Sequence, residues 1–138
     1  MDDPLKRFVS AQDKTFETAL AELRDGRKGS HWMWFIFPQL AGLGRSGTAR
    51  FYALGSITEA RAFLDHPLLG KRLEQLVTII NAMPQDDARA VFGDIDAVKL
   101  RSSLTLFREA GGGPAFEEAL DKFFDGMPDP ETLRLLGR

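Results

Sequence analysis

Asp96, Lys99 and Ser103 stand at i, i+3 and i+7, a spacing that puts a carboxylate, an ammonium and a hydroxyl on one stripe of a helix. On a surface helix such a stripe is a solvated ion pair worth well under ~1 kcal/mol. Facing a cavity, the same groups are a proton-transfer or anion-binding set. His31 is the other group suited to proton transfer. It sits at the edge of His31-Trp32-Met33-Trp34-Phe35-Ile36-Phe37, beside Ser30 and Lys28. Large rings dominate core energetics, so most of this run is expected in the core. Trp32 and Trp34 are the rings that could instead wall a pocket and stack a base or a sugar face. Gln39 follows as a further polar candidate.

Gly42-Leu43-Gly44-Arg45-Ser46-Gly47 matches G-x-G-x-x-G, with Asp65 about twenty residues on, as a dinucleotide fingerprint has it. That fold needs several strands alternating with helices. This chain offers at most one strand candidate, and Pro38-Gln39 interrupts its hand-over to the glycines. The segment reads instead as a glycine-rich turn. Gly44, Arg45 and Ser46, with backbone N–H groups at a helix start, form a candidate anion cradle.

Composition bounds the chemistry. A chain of 138 residues with 43% hydrophobic content is one ordinary domain that can bury its own core. There is no cysteine, so disulfides, thiol nucleophiles and Cys-based zinc sites are excluded. Two histidines are too few for most metal centres, and neither a metal nor a cofactor is expected. A net charge of -2 and a pI near 5.7 argue against general nucleic-acid binding. No apolar run reaches membrane-span length, and the acidic Met1-Asp2-Asp3-Pro4 start is unlike a signal peptide, so a cytoplasmic protein is expected. Oligomeric state is not legible.

The elements that would position these groups are helices. Asp3-Pro4 reads as a cap and first-turn proline, and Gln12 completes the apolar face of Leu5, Phe8 and Val9. Phe16, Ala19, Leu20 and Leu23 continue in a second helix, or in the same one bent near Asp13. His31–Leu40 is strand or short helix; periodicity does not separate them. A helix around Thr48–Ala53 follows the glycine loop. Ser56-x-x-Glu59 is a capping box. His66-Pro67 marks a boundary before the Leu69–Met83 stripe, and Pro84 ends that stripe. The Asp86-Asp87 and Asp2-Asp3 pairs read as helix starts. Asp94 caps the helix bearing Leu100, Leu104 and Phe107. Gly111-Gly112-Gly113-Pro114 breaks the chain before Phe116–Phe124, and Asp129-Pro130 starts a last short helix. The expected fold is all-α: a single-domain, irregular multi-helix bundle with short connections.

Ser30-His31-Trp32-Met33-Trp34-Phe35-Ile36-Phe37-Pro38-Gln39-Leu40, with Gly42-Leu43-Gly44, resembles the signature of the domain-of-unknown-function family 1810. Arg7-Phe8-Val9, His66-Pro67, Phe92-Gly93, Asp96, Lys99 and Ser102–Phe107 extend the resemblance over almost the whole chain. It implies a mainly helical protein with no assigned activity. The Phe92-Gly93 and Asp96 block is also similar to the NADAR superfamily of YbiA-like domains, which bind ADP-ribose derivatives and cleave N-glycosidic bonds. That likeness implies a pocket combining the aromatic run with His31, Gln39, Asp96 and Lys99. The ligand would be a small nucleotide-like molecule, with Lys28, Arg45 or Lys99 on its phosphate and Asp96, His31 and Lys99 as the catalytic set. The alternative is a non-catalytic interaction module with an exposed aromatic patch.

Overall fold

A computed structural model describes residues 3–138. The Met1-Asp2 portion of the expected start lies outside those residues. Among the described residues there are nine helices: α1 Lys6–Arg24, α2 Met33–Ile36, α3 Gly47–Tyr52, α4 Ile57–Asp65, α5 Leu69–Ala82, α6 Ala88–Phe92, α7 Asp94–Glu109, α8 Pro114–Phe124 and α9 Pro130–Leu135. The β structure there is one isolated parallel bridge, Leu40 to Leu54. The all-α bundle is therefore observed. No described helix is long and apolar enough to cross a membrane.

Helix starts follow local capping chemistry. Ser46, Ser56, Asp87 and Asp129 each accept a hydrogen bond from a backbone N–H of the first turn that follows. The capping box at Ser56 is half made. Ser56 Oγ accepts from Glu59 N at 3.2 Å, while the Glu59 carboxylate turns to Arg7 at 3.1 Å. His66 Nδ1 accepts from Leu68 N and Leu69 N at 3.1 and 3.2 Å, covering the entry to α5. Two boundaries shift. Asp3 Oδ1 accepts from Leu5 N, one turn before α1 begins at Lys6. Gly93, rather than Asp94, is the N-cap of α7. α1 runs unbroken through Asp13, and the short α6 has no apolar stripe long enough to announce it.

α7 is the central element, in contact with α2, α4, α6, α8 and α9. Its C-terminal half is buried on nearly every side: Leu100 and Ser102 through Phe107 are all buried. Phe107 packs between Phe63 and Phe116 at centroid separations of 5.3 and 5.9 Å. Arg101 donates to the Met127 and Pro128 carbonyls, and Thr105 Oγ1 accepts from Asp129 N, so α7 also fastens the chain leading into α9. The first two turns of α7 are open on one side, where Ile95 and Val98 are exposed. Gln12, buried on α1, donates to the Phe35 carbonyl at 2.7 Å and ties α2 to the core.

Candidate functional site

His31–Phe37 is neither a strand nor a regular helix along its length. Only Met33–Ile36 makes a turn of helix, because Pro38 closes the run and a segment apolar on all sides has no single face to bury. The single turn sorts the rings. Trp32, Met33, Ile36 and Phe37 enter the core, while Trp34 and Phe35 remain partly exposed on different clefts.

Trp34, Met33, Phe92 and Ile95 wall a cleft of about 380 Å³, and its polar edge is Lys28, His31, Asp96 and Lys99. Three elements converge: the loop after α1 supplies Lys28 and His31, α2 supplies Trp34, and the first two turns of α7 supply Asp96 and Lys99. Lys28 Nζ lies 2.8 Å from Asp96 Oδ2, and Lys99 Nζ lies 3.6 Å from Asp96 Oδ1. The carboxylate thus sits between two ammonium groups and neutralises only one of them. Lys28 also donates to the Ser30 carbonyl and stands 4.8 Å over the Trp32 ring. With its side chain 6% exposed, Lys28 is a fixed structural cation. Lys99 stands 4.7 Å over the Trp34 ring, is more exposed, and keeps donors free for a ligand.

Of the residues singled out in sequence, Lys28, His31, Trp34, Asp96 and Lys99 come together here. Trp32 lies elsewhere. It is fully buried against Phe37 and Phe92, and its indole donates to Glu22 at 2.9 Å. Ser103 is also a core residue, 0% exposed and with no partner for its hydroxyl among the described residues, because the stripe from Asp96 runs inward along α7. Gln39 lies on the Leu40–Leu54 bridge, where its carbonyl accepts from Leu54 N. Gly44, Arg45 and Ser46 do not line the cleft. The Ser46 hydroxyl is committed to Ala49 N at 3.0 Å. A side chain at Gly44 would meet the Ala49 methyl, so that glycine serves close packing. Among the described residues no three metal-ligating side chains converge.

Met33, Phe92 and Ile95 complete the walls, and Glu22 is the group that sequence reasoning missed. From α1, its carboxylate accepts from Gly29 N, Ser30 N, Ser30 Oγ and Trp32 Nε1 at 2.5–2.9 Å. It thereby holds the loop carrying Lys28 and His31. A Glu in the last turn of a helix carries no local signal of partners seven to ten residues away. Partial burial pushes the Glu22 carboxyl up, but the four hydrogen bonds outweigh that and hold its pKa down at about 2, against 4.5. A depressed pKa contributes stability that is present above the unfolded value and lost as pH falls through the folded one. Glu22→Gln should therefore cost about 1–2 kcal/mol at pH 7, after allowance for solvent screening. The gap to wild type should close between about pH 4.5 and pH 2. Urea melts across that range check it, and a pH-independent gap would refute the assignment.

The whole chain has relatives. Residues 2–136 match the family described as protein of unknown function (DUF1810). The crystal structure of the conserved hypothetical protein Rv1873 from Mycobacterium tuberculosis is similar at 44% identity and a TM-score of 0.95, covering 99% of each chain. No curated protein matches. The chain therefore belongs to the DUF1810 family of proteins of unknown function.

Proposed function

We propose that the cleft between α2 and the start of α7 binds a small nucleotide-like molecule, with hydrolysis of an N-glycosidic bond as its reaction. One observation carries the reading: Asp96 is set between Lys28 and Lys99 at the edge of an apolar cleft of about 380 Å³. That volume is at the small end for ligand pockets. Trp34, partly exposed at the cleft, offers a face for a base. The positive charge left over by the Lys28–Asp96–Lys99 cluster suits a phosphate, which Lys99 can meet directly. The likeness of Phe92-Gly93 and Asp96 to the NADAR domains turns this toward ribosyl compounds such as ADP-ribose derivatives.

In the reaction the C1′–N bond breaks with its electron pair going to the departing base. Positive charge develops on the ribose, and the Asp96 carboxylate stabilises it. Water adds at C1′ and gives a proton to His31. With one carboxylate at the cleft, the set fits a leaving group that departs without prior protonation.

ADP-ribose or AMP at about a hundred times its Kd should raise Tm by something on the order of 10 °C. Trp34→Ala should lower that rise measurably. Asp96→Asn should retain binding while product release, followed by chromatography of the freed base, falls at least a hundredfold. No Tm change across nucleotides and ADP-ribose at millimolar concentration would overturn the reading. A second reading rests on Ile95 and Val98, which are 74% and 63% exposed beside the cleft. They form an apolar ridge on which a protein partner could dock without catalysis, and this is the reading that survives if the ligand panel is inert.

A further inference from the structure

Phe35 leaves α2 on a different cleft from its neighbour Trp34 and enters a groove of about 620 Å³ between α1 and α3. On the α1 side stand Lys6, Ser10 and Lys14, spaced i, i+4 and i+8 on one helix face. Eight residues of rise set the two lysines about 12 Å apart. On the α3 side stand Phe51 and Tyr52. Phe51 is 58% exposed and packs edge-on to Tyr52 at 4.8 Å, and Tyr52 meets Phe35 at 5.2 Å.

Three features make this a site rather than leftover surface. First, α3 has no buried residue, so packing does not explain an exposed ring there. Arg7 holds the helix instead, donating to the Phe51 and Ala53 carbonyls at 2.8 and 2.9 Å and pairing with Glu59. Second, that engagement balances the Arg7 charge, and among the described residues neither Lys6 nor Lys14 of the groove pairs with a carboxylate. Third, among the described residues no carboxylate lines it. The chain as a whole carries a net charge of -2, yet no Asp or Glu occurs between Asp25 and Glu59. The groove is thus a local positive field beside an aromatic face.

We propose that this groove is a second ligand site, for a planar aromatic ring bearing a phosphate: the ring stacks on Phe51 and the phosphate meets Lys6 or Lys14 with Ser10. It is independent of the cleft at Asp96, and the two sites carry separate reporters. Tyr52 is the sole tyrosine and lies in the groove, whereas Trp34 lies in the cleft.

The test is an NMR titration of the intact chain with AMP, adenosine and inorganic phosphate. AMP should move the Tyr52 and Phe51 ring resonances and bind at least about tenfold more tightly than adenosine or phosphate alone. Phe51→Ala should weaken AMP about tenfold, within the range for loss of a stacking platform, and Lys14→Glu should do so to a similar degree. Both positions are exposed, and unchanged thermal melts would show that the variants fold. Trp34→Ala should leave the Tyr52 response intact. Tyr52 resonances unmoved at millimolar AMP, or moved equally in wild type and Phe51→Ala, would overturn the proposal. Shifts at Trp34 alone would sustain the cleft and reject the groove, and shifts at Tyr52 alone would do the reverse.

Discussion

Trp32→Ala is expected to remove about 4 kcal/mol or more of folding free energy, whereas Trp34→Ala, two residues on, removes about 1 kcal/mol. The difference follows from where one turn of helix points each ring. Trp32 is fully buried, meets Phe37 and Phe92 at 6.3 and 6.5 Å, and donates its indole N–H to Glu22. Truncation opens a cavity, and it also strips a hydrogen bond from Glu22 and the aromatic face from beneath Lys28. The two losses fall on the loop that presents His31, so they should exceed the cost of the cavity alone. Trp34 is partly exposed, and its main neighbours are Lys99 and the cleft. Urea unfolding followed by circular dichroism gives both values. A Trp32→Ala loss below about 1.5 kcal/mol, with an unchanged m-value, would show that the ring does not support the loop as described.

Gly70→Ala should cost about 3 kcal/mol, although helix propensity alone favours alanine over glycine by about 1 kcal/mol. Gly70 is buried in the first turn of α5, where α5 crosses the end of α4. A β-carbon there would lie 2.9 Å from the Leu64 carbonyl carbon and inside van der Waals contact of the attached oxygen. Those are backbone atoms and cannot turn aside, so α4 and α5 would have to separate. The displaced contact lies beside His66, whose ring accepts from Leu68 N and Leu69 N, so the entry to α5 should loosen too. Gly47→Ala is the matched control, with nothing within 4 Å of its added methyl. It should change stability by less than about 0.5 kcal/mol. Thermal melts of both variants decide the matter, and equal stability of the two would refute the close crossing.

Helix starts were the most legible part of the chain, because a cap needs only the side chain and backbone of four neighbouring residues. Asp129-Pro130 and Ser56-x-x-Glu59 read correctly for that reason. The reciprocal arm of the Ser56 box did not, because Arg7 on another helix competes for the Glu59 carboxylate. Gln12 read correctly as part of a buried face, but its bond to the Phe35 carbonyl depends on where α2 lies. The stripe Asp96, Lys99, Ser103 was right as helix geometry. It changes surroundings midway because α7 enters the core: Asp96 and Lys99 edge a cleft, and Ser103 is sealed in. The glycine loop matched a fingerprint by spacing alone, and its glycine and serine serve local packing and capping.

By itself, then, the sequence determined the helical fold, some of its caps, the family, and the residue types available for chemistry. These depend on periodicity and on contacts within about one turn, and both are written in neighbouring letters. Only the tertiary structure decided which groups come together. A run apolar on every side gives no rule for which ring faces inward, so packing alone sent Trp32 to the core, Trp34 to one cleft and Phe35 to another. The union of Lys28 with Asp96, and the hold of Glu22 on the loop that carries Lys28, join segments far apart in the chain, brought together where the loop after α1 lies against the end of α6 and the start of α7.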